Sequence, residues 1–260
     1  MKRIYYFIKN YKYDFVAAFS LISSIIMGYY FRYSQKIPFY ASIGLIIASL
    51  IAIIYLRIID RSFYFIPFTG RKDKDEWIGK GEFEYSRVKK CFQITNAHSG
   101  YIFSKCFMWS DYKYIFEFKI IKSCLGVILR AINLSNYVML QIGQDGIRPH
   151  IKVNGAWTVW EFKDVNLGFD KILKLDDWYK CIVSCEKDVI NIRILKNKIS
   201  IFDRDWIIPS GQINFMFKKD EEDKKPLLIP FAINLDYGTI GFRNSGHEKA
   251  LLRNILVERI

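Results

Sequence analysis

The stretch VILRAINLSNYVMLQIG, residues 127–143, consists of two apolar runs joined by a polar turn, with Arg130 in one run and Gln141 in the other. Its runs are too short for helices and rich in β-branched residues, so they predict a β-hairpin. Side chains alternate across a strand with a period of two. Val127, Leu129 and Ala131 are then expected to face the core, as are Val138, Leu140 and Ile142. The same count sends Ile128, Arg130, Tyr137, Met139 and Gln141 to the opposite face.

Similar runs surround the hairpin: YKYIFEFKII, HIKVNG, WYKCIVSCE, VINIRIL, KISIFDR, LLIPFAINL and TIGFRN, separated by Gly, Asn, Asp and Pro. Their regular spacing predicts an all-β jelly-roll sandwich of antiparallel sheets over residues 77–260. In the strand before the hairpin, Tyr114, Phe116, Phe118 and Ile120 count as core, which leaves Glu117 and Lys119 outside. His150 and Lys152 in PHIKV join the outer set by the same alternation.

The first quarter of the chain differs in character. No charged residue occurs from Phe15 to Phe31 or from Ile37 to Leu56, and each run approaches the roughly 20 residues that cross a hydrocarbon layer as a helix. These runs predict two transmembrane helices, 13–31 and 38–59, within an anchor of residues 13–60. A basic flank, 1–12, precedes the anchor, and a charged linker, 61–76, follows it. Lys2, Arg3, Lys9 and Lys12 lie before the hairpin and Arg57, Arg61, Arg71, Lys72 and Lys74 after it. By the positive-inside rule both termini are then cytoplasmic, on a multi-pass inner-membrane protein. Small residues recur every fourth position, Ser20, Ser24 and Gly28 on one helix and Gly44, Ala48 and Ala52 on the other. Such stripes pack helices closely, within the hairpin or between copies in a homo-oligomer.

The net charge of +13 is densest beside these apolar segments, a distribution that suits anionic headgroups better than nucleic acid. Of the partners considered, the lipid bilayer therefore comes first. Five cysteines cannot all pair within one chain and show no zinc spacing, so they read as reduced thiols. Cys181 and Cys185 fall on one face of a strand.

In order, ITNAHSGYIFSKCFMWSDYKYIFEFKI (94–120), LGVILRAINLSNYVMLQIG (125–143), VNGAW (153–157), DDWYKCIVSCEKDVINIRI (176–194) and GTIGFRNSGHEKALLRNILVE (238–258) resemble the concanavalin A-like lectin/glucanase superfamily. Laminin-G-like and 3-keto-disaccharide hydrolase-like bacterial domains are the nearest in feel. The resemblance covers about Trp77 to Ile260, and its signals belong to the fold, none being a catalytic motif. It implies that a sheet face holds the ligand, a carbohydrate or another small molecule.

Retaining glycoside chemistry needs two carboxylates about 5 Å apart, which glucanases of this superfamily supply from an ExDxE-type strand. No such run occurs. Glu82 and Glu84, and Asp203 and Asp205, alternate without a third acid, and His98, His150 and His247 lack a nucleophile elbow. No metal-ligand spacing or phosphate loop appears, so no cofactor is expected. The candidate ligand-binding residues are Arg130, Tyr137, Gln141, Glu117, His150 and Trp157, with Trp160 near Trp157. Against that stands a plainer reading, an Arg130–Glu117 cross-strand pair that merely solubilises one face, with Trp157 packed under a loop. The sequence thus predicts a membrane-anchored, non-catalytic module that binds a small molecule, carbohydrate or protein. Two other readings stay open: an extracytoplasmic glycan-binding or hydrolase-like domain, and a membrane-perturbing effector, as in bacterial defence, gated by the sandwich.

Overall fold

The computed structural model describes residues 63–68, 71–86, 88–159, 165–208, 213–215, 227–229 and 235–260, together with Tyr29 and Ile47, both helical. The chain forms two compact units, Met1–Tyr64 and Phe65–Ile260. The expected flank, membrane helices and small-residue stripes lie outside the described residues, except for those two positions. No helix among the described residues is long and apolar enough to cross a membrane.

Fifteen strands are described: β1 (Phe63–Ile66), β2 (Trp77–Gly79), β3 (Glu82–Ser86), β4 (Cys91–Phe103), β5 (Tyr112–Lys122), β6 (Leu125–Asn133), β7 (Asn136–Ile142), β8 (Ile147–Val153), β9 (Ala156–Val159), β10 (Tyr179–Glu186), β11 (Val189–Lys196), β12 (Ile199–Ile207), β13 (Ile213–Phe215), β14 (Leu227–Ile229) and β15 (Thr239–Arg259). A short 3-10 turn, Arg71–Lys74, precedes β2. The second unit is an antiparallel β-sandwich whose two sheets share β4 and β15. One sheet runs β12-β11-β10-β5 to the C-terminal half of β15, then to the start of β4 and β3. The other runs β9-β8-β7-β6 to the N-terminal half of β15, then to the end of β4 and β2. The short hairpin β13-β14 stands apart, with β13 beside β9.

Alternation makes the core where it is unbroken. On β5, Tyr112, Tyr114, Phe116, Phe118 and Ile120 are buried while the intervening residues are half-exposed. Tyr179, Cys181, Val183 and Cys185 do the same on β10, so the paired thiols are interior and all five cysteines are free and buried. The two sheets meet through aromatic rings, with Phe242 of β15 edge-on to Phe116 of β5 at 5.2 Å and Phe83 of β3 lying 4.9 Å from Tyr101 of β4. Each fully buried ring contributes about 2 kcal/mol through the area it removes from water. Phe68, within the stretch read as linker, is also buried, 4.2 Å from Phe92.

Two expectations about the outer face need correction. First, β5 and β6 are separated by only two residues yet belong to different sheets, so Glu117 is not on the face that Tyr137 and Gln141 share. Its partner is Arg253, whose Nε donates to a carboxylate oxygen at 2.7 Å, and no Arg130–Glu117 pair forms. Second, β6 does not alternate to its end. Its register slips against β7 after Leu129 and against β15 before Ala131, and Arg130 takes φ = 49°. This bulge reverses the parity of the strand. Ala131 joins Ile128 in the outer layer, and Arg130 becomes fully buried.

The Arg130 guanidinium donates to the carbonyls of Leu235 (3.3 Å) and Ser110 (3.4 Å), its backbone N–H donates to the Tyr112 hydroxyl (2.9 Å), and its Nε has no partner among the described residues. The residue thus ties the bulge to the segments before β5 and β15. Arg130→Ala should lower unfolding stability by about 2–4 kcal/mol, since it leaves a cavity and two unmet carbonyls. Arg130→Met, which keeps volume and removes a buried charge that has no counter-ion among the described residues, should recover much of that loss. Chemical denaturation of both variants checks this, and an unchanged midpoint for Arg130→Ala would show that the tie is unimportant.

Candidate functional site

Tyr137, Met139 and Gln141 stand opposite Lys152, His150 and Arg148 across β7 and β8. Lys152 in turn faces Trp157 across β8 and β9. On the other flank Gly126 of β6 pairs with both Gln141 and Arg243. Having no Cβ, Gly126 lets the Met139 sulfur and the Arg243 backbone lie close against it. Of the six residues expected at the site, the structure gathers Tyr137, Gln141, His150 and Trp157 on one outer face. Glu117 lies on the other sheet and Arg130 in the interior.

That face is not an open polar floor. Ile102, Ile128, Ala131, Tyr137 and Met139 form a buried apolar layer on it, against which Phe107, Leu134 and Trp157 pack. Above the layer, the half-buried Trp157 indole meets Tyr137 edge-on at 5.5 Å and His150 edge-on at 5.7 Å. The Lys152 ammonium sits 5.2 Å from the centroids of both Tyr137 and Trp157 and donates to the Leu134 carbonyl at 2.9 Å. The Arg243 guanidinium lies 4.9 Å from the Trp157 centroid, with its Nε donating to the His98 carbonyl at 2.8 Å. Cation–π attraction of this kind strengthens as the pair is desolvated.

His150 is 9% exposed and its Nε2 has no hydrogen-bond partner among the described residues. Burial, aided by Arg243 and Arg148, pushes its pKa from 6.5 down to about 4, so the ring is neutral near pH 7. Burial and then Arg243 lower the Lys152 ammonium too. Burial raises the Tyr137 phenol, with Arg243 pulling the other way. At the edge of the face Gln141 donates to Glu248 (3.1 Å) and to the Cys124 sulfur (3.1 Å), and the His98 ring shares a hydrogen bond with the Ser245 hydroxyl at 2.8 Å. Burial, with Glu248 beside it, pushes the Cys124 thiol up to about 12, so it carries no nucleophilic thiolate near neutrality.

Three of the four alternating acids noted in the sequence are engaged elsewhere. Glu82 accepts from Thr95 and Asn96, while Asn191 bridges Asp203 and Asp205 and Arg193 pairs with Asp203 at 2.7 Å. Among the described residues no group of three His, Cys, Asp or Glu is placed to hold a metal ion. An open recess of about 510 Å³ lies elsewhere, by Asp111, Glu186, Asp188 and Asp205, and two of these acids already accept from Lys187 N and Asn191. Arg243 was missed by the sequence reading. Alternation from Gly241 fixes its face within TIGFRN, but nothing local reveals that β15 lies beside β6.

No family model matches the chain, and no curated protein matches it in sequence. Solved structures similar to it include the carbohydrate binding module CBM66 from Bacillus subtilis, at 13% identity and a TM-score of 0.46 over 70% of this chain and 95% of that one. A Bacillus subtilis protein of unknown function with a galectin-like fold matches at 14% identity, a TM-score of 0.49, and 75% and 94% coverage. A Bauhinia forficata lectin in complex with GalNAc matches at 10% identity, a TM-score of 0.45, and 76% and 98% coverage. At these identities and scores the likenesses carry no argument about what this chain binds.

A depressed histidine pKa means that the unfolded chain binds more protons than the folded one between the two values. The stability tied to neutral His150 is thus complete above about pH 6.5 and is lost as pH falls towards 4. The full span corresponds to about 3 kcal/mol. In His150→Asn the fall in unfolding free energy between pH 6.5 and 4 should be smaller than in the parent chain. An identical slope in both proteins would mean that His150 is hydrated in solution.

Proposed function

We propose that the chain is a non-catalytic binding module of concanavalin A-like, jelly-roll type that holds a saccharide on the outer face of β6–β9 and is tethered to a membrane by its two apolar segments. The observation that carries the binding reading is the half-buried Trp157 ring beside a nearly buried, neutral His150 whose Nε2 has no partner among the described residues. A pyranose ring combines C–H faces with a hydroxyl edge, so it suits an indole with fixed polar groups at its side. An unmet buried nitrogen costs free energy that a ligand hydroxyl would recover. The non-catalytic reading is supported by Glu82, Asp203 and Asp205 being held by neighbours.

The tether rests on the uncharged runs 15–31 and 37–56 with their basic flanks. Their orientation by the positive-inside rule, together with five unpaired thiols, supports a cytoplasmic sandwich. Protease added to intact cells should then leave residues 77–260 undigested until the membrane is opened. Digestion without lysis would reverse the orientation and leave the binding reading standing.

Trp157→Ala should weaken binding to immobilised oligosaccharides by about tenfold or more, the equivalent of one lost stacking contact of about 1.4 kcal/mol. Trp157→Tyr should restore part of it. Unchanged affinity in Trp157→Ala, with a far-ultraviolet spectrum like the parent's, would remove the face from consideration.

A further inference from the structure

Both outer faces of the sandwich carry a tryptophan with two cations against it, and the two arrangements differ in one respect. On the face of β5 and β10, Arg253 lies 3.9 Å and Lys119 5.6 Å from the Trp178 ring. Each cation there has its own acid, Glu117 at 2.7 Å from Arg253 and Asp176 at 3.0 Å from Lys119. That cluster is neutral and complete.

On the β6–β9 face, Arg243 and Lys152 hold the same positions over Trp157, at 4.9 and 5.2 Å. Neither forms a salt bridge among the described residues; their hydrogen bonds go to the backbone carbonyls of His98 and Leu134. Two acids among the described residues are used otherwise, Asp145 by Arg148 at 3.5 Å and Glu248 by Gln141 and the Ser245 N–H. Two like charges beside one ring repel, and partial burial of Lys152 weakens the screening between them. A carbonyl satisfies a donor but does not cancel its charge. The local excess therefore attracts an anion, which a guanidinium and an ammonium would hold by charge-assisted hydrogen bonds.

We propose that the ligand of this face is an anionic saccharide, one bearing a carboxylate or sulfate, whose charge lies against Arg243 and Lys152 while its ring meets Trp157 and His150. The inference rests on the saccharide reading above and adds the charge of the ligand. Carboxylate and sulfate present the same chemistry to these two cations, and the arms of the test separate them.

The test is an array of neutral, carboxylated and sulfated oligosaccharides probed with the full chain in detergent. Acidic members should bind and their neutral counterparts should not, with the carboxylated and sulfated arms showing which anion is preferred. Lys152→Gln and Arg243→Gln should each weaken binding to the acidic members by about tenfold or more, in line with losing one hydrogen bond to a charged group. Lys152→Arg should retain it, and Lys113→Gln on the other sheet should leave it unchanged. Since Lys152 is half-exposed, its variants keep the test decisive should Arg243→Gln fold poorly. Equal binding of neutral and acidic sugars, or full binding by Lys152→Gln, would overturn the anionic ligand and leave the saccharide reading intact. Binding to no member of any class, or binding indifferent to Trp157→Ala, would overturn both.

Discussion

β15 runs for 21 residues and pairs with β6 and the end of β4 along its first part, then with β5 and the start of β4 along its second. A strand that long cannot serve two facing sheets while staying straight. It bends where its pairing slips, between Phe242 and Lys249, and Gly246 there adopts φ = 57°, a conformation that suits glycine. The fully buried Asn244 sits in the bend, its amide among the backbone groups of Ile94 and Cys124. β4 bends in step, with Asn96 and Gly100 both at positive φ. Because both strands are common to both sheets, the sandwich has a continuous hydrogen-bonded margin, and the core rings of Phe242 and Phe116 meet across the fold of that margin.

The same bend places the candidate site. Gly241 and Arg243 belong to the part of β15 that pairs with β6, so the guanidinium is carried onto the β6–β9 face. Arg253, ten residues on, belongs to the part that pairs with β5 and emerges on the other face. One strand thus supplies a cation to a tryptophan on each side of the molecule. The difference between those two clusters lies in which acids the neighbouring strands bring, Glu117 from β5 in one case and none among the described residues in the other.

Much of this architecture is legible in the sequence. Alternation in YKYIFEFKII and NYVMLQIG gives the right faces for Tyr114, Phe116, Phe118, Tyr137, Met139 and Gln141, because those strands are regular. It fails in VILRAI, where a bulge at Arg130 reverses the parity, and no residue there announces a positive φ. An arginine is a costly residue to bury, so assigning it to solvent follows from sound physics applied to the wrong register. Sequence proximity also misleads at Lys122–Leu125, where a two-residue connection looks like a hairpin and is in fact a corner between sheets. Glu117 was grouped with Tyr137 for that reason. The apolar layer of Ile128, Ala131 and Met139 was hidden for a third reason. Period-two counting assigns a side but does not tell whether a second layer covers it.

Arg130 and Arg243 show how the same side chain takes opposite roles according to where its charge is answered. Arg130 is enclosed among carbonyls and joins three chain segments, so its charge is held inside by the rigidity of the bulge and gives nothing to the surface. Arg243 lies over an aromatic ring at the surface, tied by one nitrogen to a backbone oxygen, and its charge is left without a carboxylate among the described residues. Low local polarity costs both residues solvation. For Arg130 that cost is offset by the packing and hydrogen bonds of the folded chain alone. For Arg243 the fold supplies an aromatic contact and one hydrogen bond, leaving a charge that an anion from outside the sandwich would complement.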